Sequence, residues 1–301
     1  MQLDDIVNNS AVLKSSQYGL EIFDLTTETM LYCKNATRPF LPASTMKVFT
    51  STAALANLGK DHLFVTKIGY TGTPTDNEWL LPRWKDVAVT DSLGTHTERV
   101  ADEPQRITSR TLRGNICVKG AMDPMFSDSD VKRFAAAVKA LNVDTIYGSL
   151  ALDLSLKDTV MMGEGWAWDD VNPVLSPLLV DKKDVFSSRF LKYLKGYGVV
   201  LTGPVIKAEY APNAVELAEC THPLKDILTR TMKNSDNTYA ECVFYKVGSE
   251  TSSTKGVSAK TAKNAINRLI QRVGRNPEDY YIADGSGLSR YSHLSPEVEV
   301  D

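Results

Sequence analysis

Cysteine and histidine are scarce in this chain, with four of each in 301 residues. No two cysteines form a Cys-x-x-Cys pair and the histidines are widely spread, so no zinc site, other metal site or Ser-His-Asp triad is suggested. Cys33, Cys117, Cys220 and Cys242 read as buried or partly buried free thiols, since spacing alone dictates no disulfide. No cofactor motif is found. No apolar run approaches the roughly 18 residues that a membrane-spanning helix needs. The opening Met1-Gln2-Leu3-Asp4-Asp5 has neither a basic n-region nor an apolar h-region. Taken literally, the chain is cytoplasmic, unless an export signal was removed or never included. A formal net charge of −3 gives no electrostatic reason to expect nucleic acid or an anionic membrane as partner. Internal repeats and low-complexity segments are also missing.

What remains is an ordinary globular composition, 43% hydrophobic and 24% charged, long enough for one large domain or two smaller ones. Gly19–Asp24 alternates as a strand, Thr26–Thr29 reads as a turn, and Met30–Cys33 is the returning strand of a hairpin. Pro39 and Pro42 keep the approach to the next segment extended. A helix is then expected, capped by Ser44 or Thr45. Met46, Phe49, Ala53, Leu55 and Leu58 form its apolar face, and Gly59 stops it. From Phe64 to Cys220 the pattern changes to strand-like pieces (Phe64–Tyr70, Ile116–Lys119, Thr145–Leu152), long loops and one clear helix, Asp130–Leu141. Helical periodicity returns in Pro223–Met232, Asn237–Gly248 and Ser258–Val273, before a strand from Tyr281 enters the glycine-rich turn Asp284–Ser289. The fold class expected is α+β. Residues 1–65 and 221–301 make one domain, and 66–220 are inserted in it.

Pro42-Ala43-Ser44-Thr45-Met46-Lys47 carries the first chemical signal. A serine hydroxyl is a weak nucleophile and needs a base within hydrogen-bond reach. Ser44 and Lys47, three apart at a helix start, share a face, so the amine can point at the hydroxyl. Burial and the positive end of the helix dipole both disfavour the ammonium form. Free N–H groups of the first turn can serve an oxyanion. Alone the string is weak, because Ser129/Lys132 and Ser252/Lys255 repeat it. A second signal, Ser235-Asp236-Asn237, is the only Ser-x-Asn in the chain and lies in a turn between two predicted helices. Such a serine can relay a proton to a leaving amine, and such an asparagine can hold both a substrate amide and a lysine. The same string also reads as a helix-capping turn.

The order Ser-x-x-Lys then Ser-x-Asn resembles the class A β-lactamases and penicillin-binding proteins. Within that superfamily the chain resembles the D-alanyl-D-alanine carboxypeptidase/endopeptidases of peptidase family S13, the low-molecular-mass class C penicillin-binding proteins. Five stretches in order carry the likeness: the hairpin Gly19–Tyr32, the segment Arg38–Gly59, Lys119-Gly120-Ala121-Met122-Asp123-Pro124, Gly163–Asp170 with Trp166 and Trp168, and Asp284-Gly285-Ser286-Gly287-Leu288-Ser289. The resemblance implies a β-lactamase/transpeptidase-like fold with a large insertion between the first two motifs. It implies catalytic roles for Ser44, Lys47, Ser235 and Asn237, no cofactor, peptidoglycan stem peptides ending in D-Ala-D-Ala as substrate, β-lactams as covalent inhibitors, and a periplasmic location.

One part of the family pattern has no counterpart. No Lys-Thr-Gly follows Asp284, and Lys260-Thr261-Ala262 lacks the glycine. The expectation is therefore a chain cut before that motif, lacking the last strands of the central sheet and the clamp for the substrate carboxylate, with little or no peptidase activity by itself. Two other readings are a non-catalytic peptidoglycan-binding or scaffold module, and a β-lactamase or esterase using the same pair.

Overall fold

The computed structural model describes residues 2–91 and 94–301. Two short helices, α1 (Gln2–Asn9) and α2 (Ala11–Ser15), precede an antiparallel hairpin of β1 (Leu20–Asp24) and β2 (Thr29–Lys34). Asp24 makes its turn, accepting hydrogen bonds from the N–H groups of Thr26 and Thr27. A 3-10 turn, Ala43–Thr45, then leads into α3 (Met46–Leu58).

The central part is mostly sheet: β3 (Leu63–Tyr70), β4 (Pro74–Asp91), β5 (Gly94–Arg113), β6 (Ile116–Lys119), β7 (Thr145–Tyr147), β8 (Leu150–Asp153), β9 (Val200–Leu201), β10 (Val205–Lys207) and β11 (Val215–Pro223). Helix α4 (Asp128–Lys139) sits between β6 and β7, and α5 (Phe186–Gly196) between β8 and β9. One five-stranded sheet runs β10-β8-β6-β3-β11, parallel on one side and antiparallel on the other. A second sheet runs β4-β5-β7-β9, and its first two strands form a long antiparallel ribbon. The chain closes with α6 (Leu224–Lys233), α7 (Asn237–Thr251), α8 (Ala259–Ala262), α9 (Asn264–Arg272) and α10 (Pro296–Val300).

Two hydrophobic clusters organise these elements. The first packs Met46, Phe49 and Ala53 of α3 against Ile227 of α6, Val243 and Phe244 of α7, and Ile266 and Ile270 of α9. The second buries Ile68, Val118 and Leu150 of the five-stranded sheet under Phe134 of α4 and Phe186 and Phe190 of α5. The last two rings stack with centroids 5.4 Å apart. The central stretch contributes to both clusters: Met122, Trp166, Leu175 and Leu179 belong to the first, while most of the buried residues between Ile68 and Cys220 belong to the second.

Several local expectations need correction. Neither Ser44 nor Thr45 caps α3: Thr45 keeps helical φ and ψ and makes no side-chain cap bond, its hydroxyl donating instead to the Pro42 carbonyl at 2.6 Å. Leu55 stands exposed on α3. The expected strand Thr145–Leu152 is two strands in two different sheets, separated at Gly148, where a side chain would collide with the Gly114 carbonyl. The expected helix Ser258–Val273 is broken at Lys263 into α8 and α9. Tyr281 forms only an isolated bridge with His293. Cys33 is exposed, whereas Cys117, Cys220 and Cys242 are buried, all as free thiols. No helix among the described residues is long and apolar enough to cross a membrane.

Candidate active site

Three segments far apart in sequence converge at the start of α3. The first is the nucleophile segment. Ala43 has φ 44°, an uncommon left-handed conformation for a non-glycine residue, and it sets Ser44 at the mouth of the 3-10 turn. Lys47 follows one turn on and is only 1% exposed. Its Nζ donates to Ser44 Oγ at 3.1 Å, to Asn237 Oδ1 at 2.7 Å and to the Ser286 carbonyl at 2.8 Å. The three ammonium protons are thus matched by three acceptors.

The second segment is the turn between α6 and α7. Asp236 is the N-cap of α7, accepting from the N–H groups of Thr238 and Tyr239. Its other oxygen accepts from Lys182 Nζ at 3.1 Å and Arg230 Nε at 3.3 Å. The cap fixes its two neighbours. Asn237 opens the helix and aims its amide at Lys47, and Ser235, at φ 51°, donates from Oγ to Ser44 Oγ at 2.9 Å. The capping role of Ser235-Asp236-Asn237 falls to Asp236, while Ser235 and Asn237 reach Ser44 and Lys47.

The third segment is the glycine-rich turn. Asp284 organises it, accepting from the N–H groups of Gly287 and Ser289 and from the indole N–H of Trp166 at 2.7 Å. Gly287 has φ 80°, and a Cβ there would lie 1.6 Å from the Ala43 carbonyl oxygen. Only glycine permits this approach. The turn is held to α3 as well, since Thr50 Oγ1 donates to the Gly285 carbonyl at 2.7 Å.

Burial lowers the proton affinity of Lys47 below the ordinary lysine range, opposed by the charges of Glu241, Asp284 and Asp236. The N–H groups of Thr45 and Met46 are already bonded to the carbonyls of Pro42, Ala43 and Ser44, so neither is free for an oxyanion.

The four residues singled out in the sequence, Ser44, Lys47, Ser235 and Asn237, thus form one hydrogen-bonded cluster. The other two Ser-x-x-Lys strings do not join it: Ser129 pairs with Ser127 at the start of α4, and Lys255 pairs with Glu209. A cavity of about 490 Å³ lined by His62, Lys67, Lys119, Lys246 and Glu250 includes none of the four. Sequence reasoning missed two contributors. The Ser286 carbonyl is a backbone group and leaves no trace in residue type. Glu241 had a faint one, as an acid four residues after Asn237 on an otherwise apolar stretch of α7. Trp166 and Trp168 part company: the first is buried on Asp284, the second is 87% exposed.

Comparison with known proteins bears on this arrangement. The family model for the D-Ala-D-Ala carboxypeptidase 3 (S13) family matches residues 1–80, 95–179 and 174–300. The chain belongs to this family. A D-alanyl-D-alanine carboxypeptidase of Actinomadura sp. (strain R39) is 22% identical over 99% of the chain, which spans 66% of that relative's length. The crystal structure of penicillin binding protein 4 (dacB) from Haemophilus influenzae superposes with TM-score 0.75 at 19% identity, covering 94% of this chain and 73% of that one. A second structure of that protein, complexed with a novel β-lactam, gives TM-score 0.71 at 20% identity over 100% of this chain and 76% of the other. The mixed α/β architecture is therefore the penicillin-binding, transpeptidase-like fold expected from the motifs.

Proposed function

We propose that this S13 family member is a serine-type D-Ala-D-Ala carboxypeptidase/endopeptidase acting on peptidoglycan stem peptides through an acyl-enzyme on Ser44. The observation that carries the proposal is the junction of Ser44 Oγ, Lys47 Nζ, Ser235 Oγ and Asn237 Oδ1, with contacts of 2.7 to 3.1 Å drawn from two segments about 190 residues apart. Ser44 Oγ attacks the carbonyl carbon between the two D-alanines, and Lys47 as free amine takes the hydroxyl proton. The amine departs with a proton passed through Ser235, leaving an ester on Ser44. Water, activated by the same base, then releases the shortened peptide and restores the serine. Burial favours the neutral amine that this role requires.

The family and the relatives' names support this substrate class, and the β-lactam complex of the Haemophilus influenzae relative supports β-lactams as inhibitors of this site. The substrate is exported cell-wall material, so the site of action is periplasmic. Residues 66–220 act as an inserted unit whose loops reach the site through Trp166 and Lys182.

Incubation with penicillin followed by intact-mass measurement tests the reading. One adduct per chain, absent from Ser44→Ala, is expected. No adduct after prolonged exposure would favour a scaffold module, and rapid β-lactam turnover would favour a β-lactamase.

A further inference from the structure

Glu241 takes no part in the reaction just proposed, yet it is one of the few acids in the interior, 1% exposed. It lies four residues after Asn237 in α7, so both project from one face of the helix, one turn apart. Its Oε1 accepts two backbone hydrogen bonds, from Gly285 at 3.0 Å and from Ser286 at 2.8 Å. The carbonyls of the same two residues accept from α3: Gly285 from Thr50 Oγ1 at 2.7 Å, and Ser286 from Lys47 Nζ at 2.8 Å. The strip 285–286 is thus pinned between a carboxyl on one helix and an ammonium on another. It cannot rotate to release one without straining its bonds to the other.

We infer that Glu241 is the positioning residue of Lys47: it clamps the Gly285–Ser286 strip that receives Lys47 Nζ, and its charge state governs how firmly Lys47 holds its proton. This inference rests on the reading of Lys47 as the base for Ser44. The ionisable groups around Glu241 are Lys47 from α3, Asp284 from the glycine-rich turn, and Cys242 and Tyr245 from α7 itself; Asp236, the N-cap of α7, also acts on Lys47. Among the acids acting on Lys47, Glu241 contributes most. Burial first, and the Asp284 charge second, push Glu241 up to about 8 against the pull of its two N–H donors. Below that pH the carboxyl is neutral, and Lys47 loses this counter-charge and gives up its proton more readily. Above it the carboxylate forms and the ammonium is held longer. The two groups titrate as a pair, so the Lys47 titration is spread over a wider range than that of a lone buried lysine.

The amide in Glu241→Gln still accepts both N–H bonds through its oxygen but carries no charge in any state. The direct test follows the Lys47 13Cε resonance against pH in lysine-labelled protein, assigned by its loss in Lys47→Arg. In Glu241→Gln the titration is expected to narrow and its midpoint to fall by about one pH unit. Thermal unfolding of the glutamine variant should stay near wild type, while Glu241→Ala, which strands two buried N–H groups, should unfold at lower temperature. Superimposable Lys47 curves in wild type and Glu241→Gln would overturn the inference, leaving Glu241 a structural acceptor only. The titration needs no turnover. A wild type that titrates as described but gains no penicillin adduct would count against the proposed function and not against this coupling.

Discussion

Ser44 is surrounded by donors rather than by bulk solvent alone, and this decides how single substitutions should behave. Lys47→Met keeps the packing of the buried stem but removes the base and the three hydrogen bonds to Ser44, Asn237 and the Ser286 carbonyl. Loss of a positioned base lowers acylation by about 10²–10⁴-fold, read as the rate of penicillin adduct formation. Gly287→Ala probes a different constraint. The new methyl would sit 1.6 Å from the Ala43 carbonyl oxygen, so the nucleophile segment or the turn must move. A stability loss of about 2–4 kcal/mol in urea unfolding is expected, together with slower acylation. Side chains with recognisable chemistry were legible at this scale: the hydroxyls of Ser44 and Ser235, the amine of Lys47 and the amide of Asn237 could be picked out by type and order. Groups whose role depends on placement were not. The Ser286 carbonyl belongs to every residue alike, and Glu241 shows its importance only once the turn above it is seen.

At the scale of elements, the α6–α7 turn couples a cap to chemistry. Asp236→Ala removes the acceptor for Thr238, Tyr239, Lys182 and Arg230. The cap alone is worth about 1–2 kcal/mol. Because the same turn aims Ser235 and Asn237, acylation should fall out of proportion to stability, measurable by comparing urea midpoint with adduct rate. A second coupling ties β11 to the loop after β6: His222 Nδ1 and Asp123 Oδ2 are 2.7 Å apart, and this bond raises the proton affinity of His222. A histidine raised in the folded state adds stability below its unfolded value near 6.5. That contribution is lost as pH climbs through the raised value. Wild-type stability should therefore carry a falling component across that window, and Asp123→Asn should flatten it, as followed by thermal unfolding at a series of pH values. Element prediction from sequence succeeded where periodicity was strong, as in α3, α4 and α7. It missed α5 and read the β4–β5 ribbon as loop. The ribbon is largely exposed on both faces, so its strands show no alternation of apolar and polar residues, and only pairing across 18 and 20 residues defines them.

Across the whole molecule, the site depends on a long-range tie. Trp166, from the central stretch of the chain, donates its indole N–H to Asp284, which in turn shapes the turn that receives Lys47. Trp166→Phe keeps an aromatic ring but removes one donor to Asp284 Oδ2, which still accepts from the Ser289 N–H, at a cost of about 1–2 kcal/mol. If the central stretch only scaffolds, the adduct rate will be unaffected; the tie predicts a fall. The fold class was legible because the ordered motifs and the alternation of helical and strand-like stretches mark a mixed α/β chain, although the first hydrophobic cluster also draws Met122, Trp166, Leu175 and Leu179 from the central stretch. How the two clusters bring residues 44 and 235 together was not, since nothing in local sequence encodes a contact between segments so far apart.

The central claim is that Ser44 becomes the acylated residue with Lys47 as its base. Penicillin-treated protein, digested and mapped by mass spectrometry, tests it most directly. The account predicts a single adduct, located on the peptide containing Ser44, slowed strongly by Lys47→Met and absent in Ser44→Ala. An adduct on any other residue, or labelling of the peptide at an unchanged rate in Lys47→Met, would contradict it.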